Sequence, residues 1–484
     1  MLKRHRLHPD LVRRSVRLWA GDGSLGAALL WGRRARRLSQ PCGVQAGGGE
    51  LLALSLYCRL AVMMLLEYAV LGSWSPVLAV YLQKELGFSG AKTGSIYSLL
   101  WLGCILSPFL GGQIADRWLP TQWFLAVLHF LGAACLWKAS QAVSFADLWL
   151  WMFLFALMFA PTLALTNSLS FKHLSDTRRQ FGAVRVFGTI GWICAGIALT
   201  AWRRGALGVR PWPSGADALV LGAIAEVALA AWCLLLPHSP PERSSPTPWA
   251  VLRVLAMLRD KHSLIFLAIS FVISTQFHFY YVLGGPYLTD LGVSPVELPR
   301  TMALAQTAEI LVMAIGLRAV IPRLGFRSTL LWGLSAWPLR YAIWAVVAWM
   351  HWPAWVAVAS LVLHGFCTVF WFVAGQVYVD YVAPGDVRHS AQAFLTLVTM
   401  GIGYYIGTHL AGAVQDSFAH PKLDALGRLV LNAAGRPEQV TDWGKVFLVP
   451  VVVGFICAAA HSLLFREAGA EKLREGKAAA PSAG

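Results

Sequence analysis

Long apolar runs, separated by short clusters of Gly, Pro, Ser and charged residues, set the pattern of this chain. A helix that crosses a bilayer needs about 20 mostly apolar residues. Twelve runs reach that length. Six lie near residues 53–83, 91–115, 120–139, 146–166, 179–201 and 216–236, and six near 262–290, 299–321, 327–349, 353–383, 388–414 and 443–465. Between the sixes, Leu236 to Trp249 (LPHSPPERSSPTPW) is rich in Pro and Ser and reads as a linker. The pattern therefore predicts an all-α polytopic membrane protein of twelve transmembrane helices in two six-helix halves. The halves take residues 51–236 and 262–466, joined by a cytoplasmic linker over 237–261, with a basic segment at 1–50 and a tail at 467–484.

Composition supports this. The chain is 57% hydrophobic and 13% charged, whereas a soluble domain carries about 25% charged residues. That excludes an ordinary soluble enzyme, a disordered protein and a disulfide scaffold. No zinc pattern, P-loop or nucleophile elbow is visible, and seven of the eight cysteines lie in apolar runs. The expectation is no enzyme, no cofactor and no metal. The net charge of +16 reads as cytoplasmic loops rather than nucleic-acid binding. With both termini inside, and residues at span edges counted with the adjoining loops, 25 Lys and Arg fall on the inner side, 11 on the outer side and 4 deeper within spans. Residues 1–50, with the run WGRRARRLSQ, read as an over-extended start, a disordered basic extension on anionic lipid, or a signal whose basic region is too long for cleavage.

A weak repeat relates the halves. Span two ends in GQIADRW, with Gly112, Asp116 and Arg117, and span eight ends in IPRLGFR, with Arg323. Twelve spans, two halves and this turn resemble the major facilitator superfamily, in which the substrate site lies between paired repeats.

Ionisable groups in a bilayer are functional candidates by default. The mid-span carboxylates are Glu67, Glu226 and Glu309. In span eight, AQTAEIL puts Gln306 and Glu309 on one helix face, an amide beside a carboxylate that can grip hydroxyl or amine groups or hold a proton. In span five, RVFGTIGW aligns Arg185, Thr189 and Trp192, flanked by Gly188 and Gly191. In span seven, TQFHFYYVLGGPYL carries Gln276 and Tyr280 on one face, and Gly284, Gly285 and Pro286 predict a break or kink. In span ten, His364 and Thr368 lie one turn apart. His129 in span three reads as a core histidine.

LGSW from Leu71, ADRWL, APTLALTNSLS from Ala160, RVFGTIGW, the Q-x-x-E of span eight, AWPLRYAIW around Arg340 and HSAQAF through Gln392 together resemble the nucleoside:proton symporter family. The resemblance spans about residues 54 to 466. It implies a bacterial inner-membrane carrier, expected to be a monomer, that takes up nucleosides with a proton. Family binding positions would fall on Arg185, Thr189, Trp192, Gln276, Gln306 and Glu309. The chain departs at Trp192, where the family usually has Phe, at Phe279, where it has asparagine, and in span ten, which reads His364-Gly365 then Thr368-Val369 where the family has Tyr-Gly then aromatic-Asp. Val369 can carry no proton. The resemblance then leaves Glu309, Glu67 or His364 to carry it, or coupling lost. The alternatives are a carrier of another solute such as a sugar, an exporter, a carrier without proton coupling, or a non-transporting sensor.

Overall fold

The computed structural model describes residues 46–117, 119–174, 177–208, 216–240, 260–383, 388–431 and 438–466. Most of the N-terminal segment, most of the linker and the tail beyond residue 466 lie outside the described residues. So do the side chains of Gly112, Asp116 and Arg117.

The N-terminal half comprises α1 (Ala46–Trp74), extended by a helical turn and a π-helical segment to Glu85, then α2 (Gly90–Arg117), α3 (Thr121–Ala139), α4 (Phe145–His173), α5 (Thr177–Arg203) and α6 (Asp217–Cys233). The C-terminal half begins with α7 (Lys261–Asp290). One helical run, Leu298–Met350, then supplies two helices, α8 (298–324) and α9 (326–350). The chain turns between them at Gly325, whose φ of 77° and ψ of 173° are non-helical. A left-handed φ of that kind suits a residue without a Cβ. Next come α10 (Ala354–Val382), α11 (388–417) and α12 (Trp443–Leu464). A small antiparallel hairpin, Ala419–Pro421 with Gln439–Thr441, bridges α11 and α12.

Nine of these helices are long and apolar enough to cross a membrane, among the described residues. The other three are α2, the 17-residue α6 and α8. The outward faces of the helices carry large apolar side chains, including Phe130 on α3, Ile315 on α8, Trp355 on α10 and Leu463 on α12. In water such a surface would aggregate, but in lipid it is solvated.

Each half packs in a corresponding way. Helix α1 lies on α5 and α6, and α3 on α6, while α7 lies on α11 and α12. The halves meet through two pairs, α2 with α11 and α5 with α8. At the first pair the backbones touch. A methyl on Gly90 would sit 2.5 Å from the Gly412 carbonyl oxygen, and one on Gly94 or Gly412 would overlap the Thr408 or Gly90 carbonyl.

At the end that bears the α1–α2, α5–α6, α7–α8 and α11–α12 connections, polar groups latch the halves. Lys84 pairs with Asp290 at 2.6 Å, and Gln83 and Gln415 exchange amide hydrogen bonds of 2.8 and 2.9 Å. Asp416 accepts from the Gly90 and Ala91 N–H groups, an anion on the open N-terminus of α2. Arg204 pairs with Glu297 at 2.7 Å, and Arg203 donates to the Pro295 carbonyl at 2.7 Å.

The twelve predicted runs coincide with these helices, most ends within three residues; α1 begins and α4 ends seven residues beyond its run. The expected break in span seven does not occur. Helix α7 continues unbroken through Gly284, Gly285 and Pro286 to Asp290. Pro286 falls in the closing turns, and the two glycines make room for neighbours. A methyl on Gly284 would lie 3.2 Å from the Trp344 ring, and one on Gly285 3.1 Å from the Pro76 carbonyl oxygen. Backbone irregularity appears instead in α10 and α11, as π-helical turns at Thr368–Val373 and Leu397–Gly403. Such turns often mark functional segments.

Candidate functional site: a polar and aromatic seam between the halves

Close helix approaches position the side chains along the seam. On α5, a methyl at Gly188 would meet the Tyr68 ring at 2.7 Å, and one at Gly191 would overlap the Leu65 carbonyl. Helix α5 therefore lies hard against α1, and the Arg185 guanidinium stacks over Tyr68, 3.9 Å from the ring centroid. A cation over an aromatic face is attracted by the ring quadrupole. One turn beyond Thr189, Trp192 meets Tyr281 of α7 edge-on at 6.0 Å. On α8, Gln306 donates to the Tyr281 hydroxyl at 3.3 Å. Glu309 sits one turn further on, half-buried, within electrostatic reach of Arg185, Tyr68, Tyr280, Tyr281 and Tyr404. Helix α10 contacts this point because Gly365 has no side chain. A Cβ there would lie 2.6 Å from the Ala308 carbonyl oxygen and 2.9 Å from the Glu309 nitrogen.

Thus Arg185, Trp192, Gln306 and Glu309 come together where the halves meet, with Thr189 half-buried on the same stripe of α5. Gln276 is buried, its amide folded onto the Thr275 hydroxyl at 2.7 Å. Several buried polar atoms around the seam have no partner among the described residues: Trp192 Nε1, Gln276 Oε1, His278 Nδ1 and Gln306 Oε1. Buried polar groups are normally paired, so these are the donors and acceptors a polar solute could satisfy. Aromatic rings close the seam on its other side. Trp101 of α2 packs against His278 and Tyr404, and Tyr404 stacks on Phe277 at 4.9 Å with the planes 7° apart. Trp101, Tyr68 and Tyr404 escaped the sequence reading, because a single aromatic in an apolar run carries no pattern.

Span ten differs from its expectation. His364 is fully buried, with Nδ1 2.8 Å from Arg340 Nη1. A guanidinium only donates, so Nδ1 accepts and Nε2 carries the ring proton. A second proton on the ring would break this contact. The Thr368 hydroxyl is committed to the His364 carbonyl at 2.9 Å. Val369 and Phe279 are both fully buried. Arg340 itself lies among the rings of Tyr280, Trp337, Tyr341 and Trp344, 4.7 to 5.9 Å from their centroids, and donates to the Tyr341 hydroxyl at 3.0 Å.

A second correction concerns His129. It is not an isolated core histidine. Its Nδ1 lies 2.6 Å from Glu226 and its Nε2 3.3 Å from Glu67, and all three side chains are fully buried. The Thr162 hydroxyl donates to Glu67 at 2.7 Å. Glu67 therefore belongs to the interior of the N-terminal half and not to the seam.

Two six-helix halves, meeting through paired helices around an unsatisfied polar seam, define a multi-pass membrane carrier of the major facilitator fold. The model of the nucleoside H+ symporter family matches residues 54–470, and the chain belongs to that family, whose members are transporters rather than enzymes. Among curated relatives, the putative nucleoside transporter YegT of Escherichia coli is 32% identical over 418 residues, covering 85% of this chain and 94% of its own. The xanthosine permease of Escherichia coli is 28% identical, covering 82% and 92%. Among solved structures, a variant of the nucleoside transporter NupG superposes with a TM-score of 0.72 at 25% identity, covering 85% of this chain and 100% of that one. A D-xylose–proton symporter, at 13% identity and a TM-score of 0.64, shares the fold.

Proposed function

We propose that this protein takes up nucleosides together with protons by alternating access, as a monomer in the bacterial inner membrane with both termini cytoplasmic. The latched end of the bundle is then the outer face, so the structure corresponds to an outward-closed state. Arg185, Thr189, Trp192, Gln276 and Gln306 orient the solute, with His364 and Thr368 shaping the wall behind them, and Glu309 exchanges the proton. The observation that carries this reading is the set of unpartnered polar atoms on Trp192, Gln276 and Gln306 beside Glu309. A ribose and a base offer hydroxyl, carbonyl and N–H groups for that set, and Trp192 and Tyr281 offer ring faces and edges.

The test is uptake of radiolabelled uridine and adenosine in cells lacking endogenous carriers, with and without a protonophore. Uptake that collapses with the protonophore is expected. No uptake of either would remove the nucleoside assignment, and indifference to the protonophore would remove coupling.

A second reading, a carrier for another polar solute such as a sugar, draws on Phe279 and Val369. Both sit under apolar packing where the family resemblance leads one to expect polar groups. Sugars that displace a bound probe where nucleosides do not would favour it.

A further inference from the structure

The Glu67–His129–Glu226 cluster joins α1, α3 and α6, and Thr162 adds α4. One imidazole bridges two carboxylates with no exposed atom among the three side chains. The groups that face it from the packed helices are few. Among the described residues they are Cys135 and Cys233 from α3 and α6; from α4, the Thr162 hydroxyl; on α1, Tyr68; and from α5, Arg185, stacked on the Tyr68 ring. One imidazolium balances one carboxylate. The second carboxylate then leaves a net negative charge in a solvent-free site, which is costly. Electroneutrality requires two protons in the cluster, one on the imidazole and one on a carboxyl group. The geometry offers two places: Glu226 Oε1 and Glu67 Oε2 are both buried and without a hydrogen-bond partner among the described residues. Glu226 Oε1 lies against Gly132, where a Cβ would approach it to 3.2 Å.

We propose that this cluster is a second proton site, separate from the seam, and that it loads and releases one proton in each transport cycle. The gain is a proton from water onto a carboxylate oxygen, and the release is the reverse, leaving imidazolium between two carboxylates. The link to the seam is short. Glu67 adjoins Tyr68 in the chain, and Tyr68 supports the Arg185 guanidinium at 3.9 Å. A change of charge in the cluster that holds Glu67 therefore acts on the platform beneath a solute-orienting cation. This link rests on the proton-coupled reading above, whereas the existence of the proton site does not.

The experiment has two arms on the purified full-length protein. Infrared titration should show a protonated-carboxyl band that persists in Glu309→Gln and disappears in both Glu67→Gln and Glu226→Gln. No band with that behaviour would overturn the site, whatever the solute. If one glutamine variant fails to fold, the other decides. In proteoliposomes, Glu226→Gln should lose about tenfold in proton-driven uridine accumulation while uridine counterflow stays within about twofold, and Glu226→Asp should restore part of the accumulation. Unchanged accumulation, or equal loss of accumulation and counterflow, would overturn the coupling role. Wild-type protein that carries no uridine would refute the nucleoside reading and leave the infrared arm to decide the proton site.

Discussion

The two halves share a fold and bury opposite charge. The N-terminal half hides two carboxylates around one histidine; the C-terminal half hides Arg340 among four aromatic rings and one histidine. The difference lies in what balances each charge. Protons can come and go on carboxylates and imidazole, so the N-terminal cluster has adjustable charge. A guanidinium does not release its proton, so the C-terminal cluster has fixed charge, held by ring faces and by His364 as an acceptor. It ties α7, α9 and α10 together, since Tyr341 also donates to the Gln276 carbonyl at 2.9 Å. One half is thus built to change state and the other to keep it.

The largest effect should come from His129→Leu. It leaves two buried carboxylates without their cation, and breaking a buried pair costs about 3–5 kcal/mol. Thermal unfolding in detergent should show this loss at neutral pH, and adding Glu226→Gln should recover part of it. Arg340→Leu should cost less, about 2–3 kcal/mol, because the groups left behind, His364 and Tyr341, are neutral. Equal losses for His129→Leu and Arg340→Leu would show that the two clusters are balanced in the same way.

Smaller effects belong to the rim where the halves meet. Lys84 and Asp290 are 39% and 31% exposed, so Lys84→Ala should change stability by under about 1 kcal/mol, and less in high salt. Its signature should be greater labelling of a cysteine placed near the seam from the latched side. The smallest change should come from pH. The Arg204 hydrogen bond, with Arg300 as a second partner, holds Glu297 below the usual carboxylate range. A depressed carboxylate keeps its contribution above its ordinary range and loses it as pH falls through the lowered value. The Arg204–Glu297 latch should therefore hold through neutral pH and release only in strong acid. Loss of labelling protection near pH 6 would contradict that.

Much of this was legible in the sequence. The spans follow from apolar length, and the α8–α9 turn falls in the gap left between spans eight and nine. Gln306 with Glu309, and Arg185 with Trp192, share faces because helical spacing is local information. The N-terminal cluster was not legible as a unit, since His129 and Glu226 stand 97 residues apart and only packing joins them. The role of His364 was hidden for the same reason. Its neighbour Arg340 lies on another helix, and that contact decides whether the ring accepts or carries charge. The Gly284-Gly285-Pro286 run misled because the same residues serve a bend or a close approach, and only the neighbours Trp344 and Pro76 distinguish them.

The bare contact between α2 and α11 bears on how quickly the carrier can move. Gly90 and Gly412 meet through their backbones, with the Asp416 and Gln415 side chains beside them. Ordering a long side chain in place of either glycine would consume up to about 2 kcal/mol of rotamer entropy. The glycine pair itself has no rotamers to freeze on closing or to recover on opening. At that point only the polar side chains beside it have to let go and re-form on each cycle. The equilibrium between states is then left to the polar latches at the rim and to whatever occupies the seam, so a bound solute and a few protons suffice to tip it.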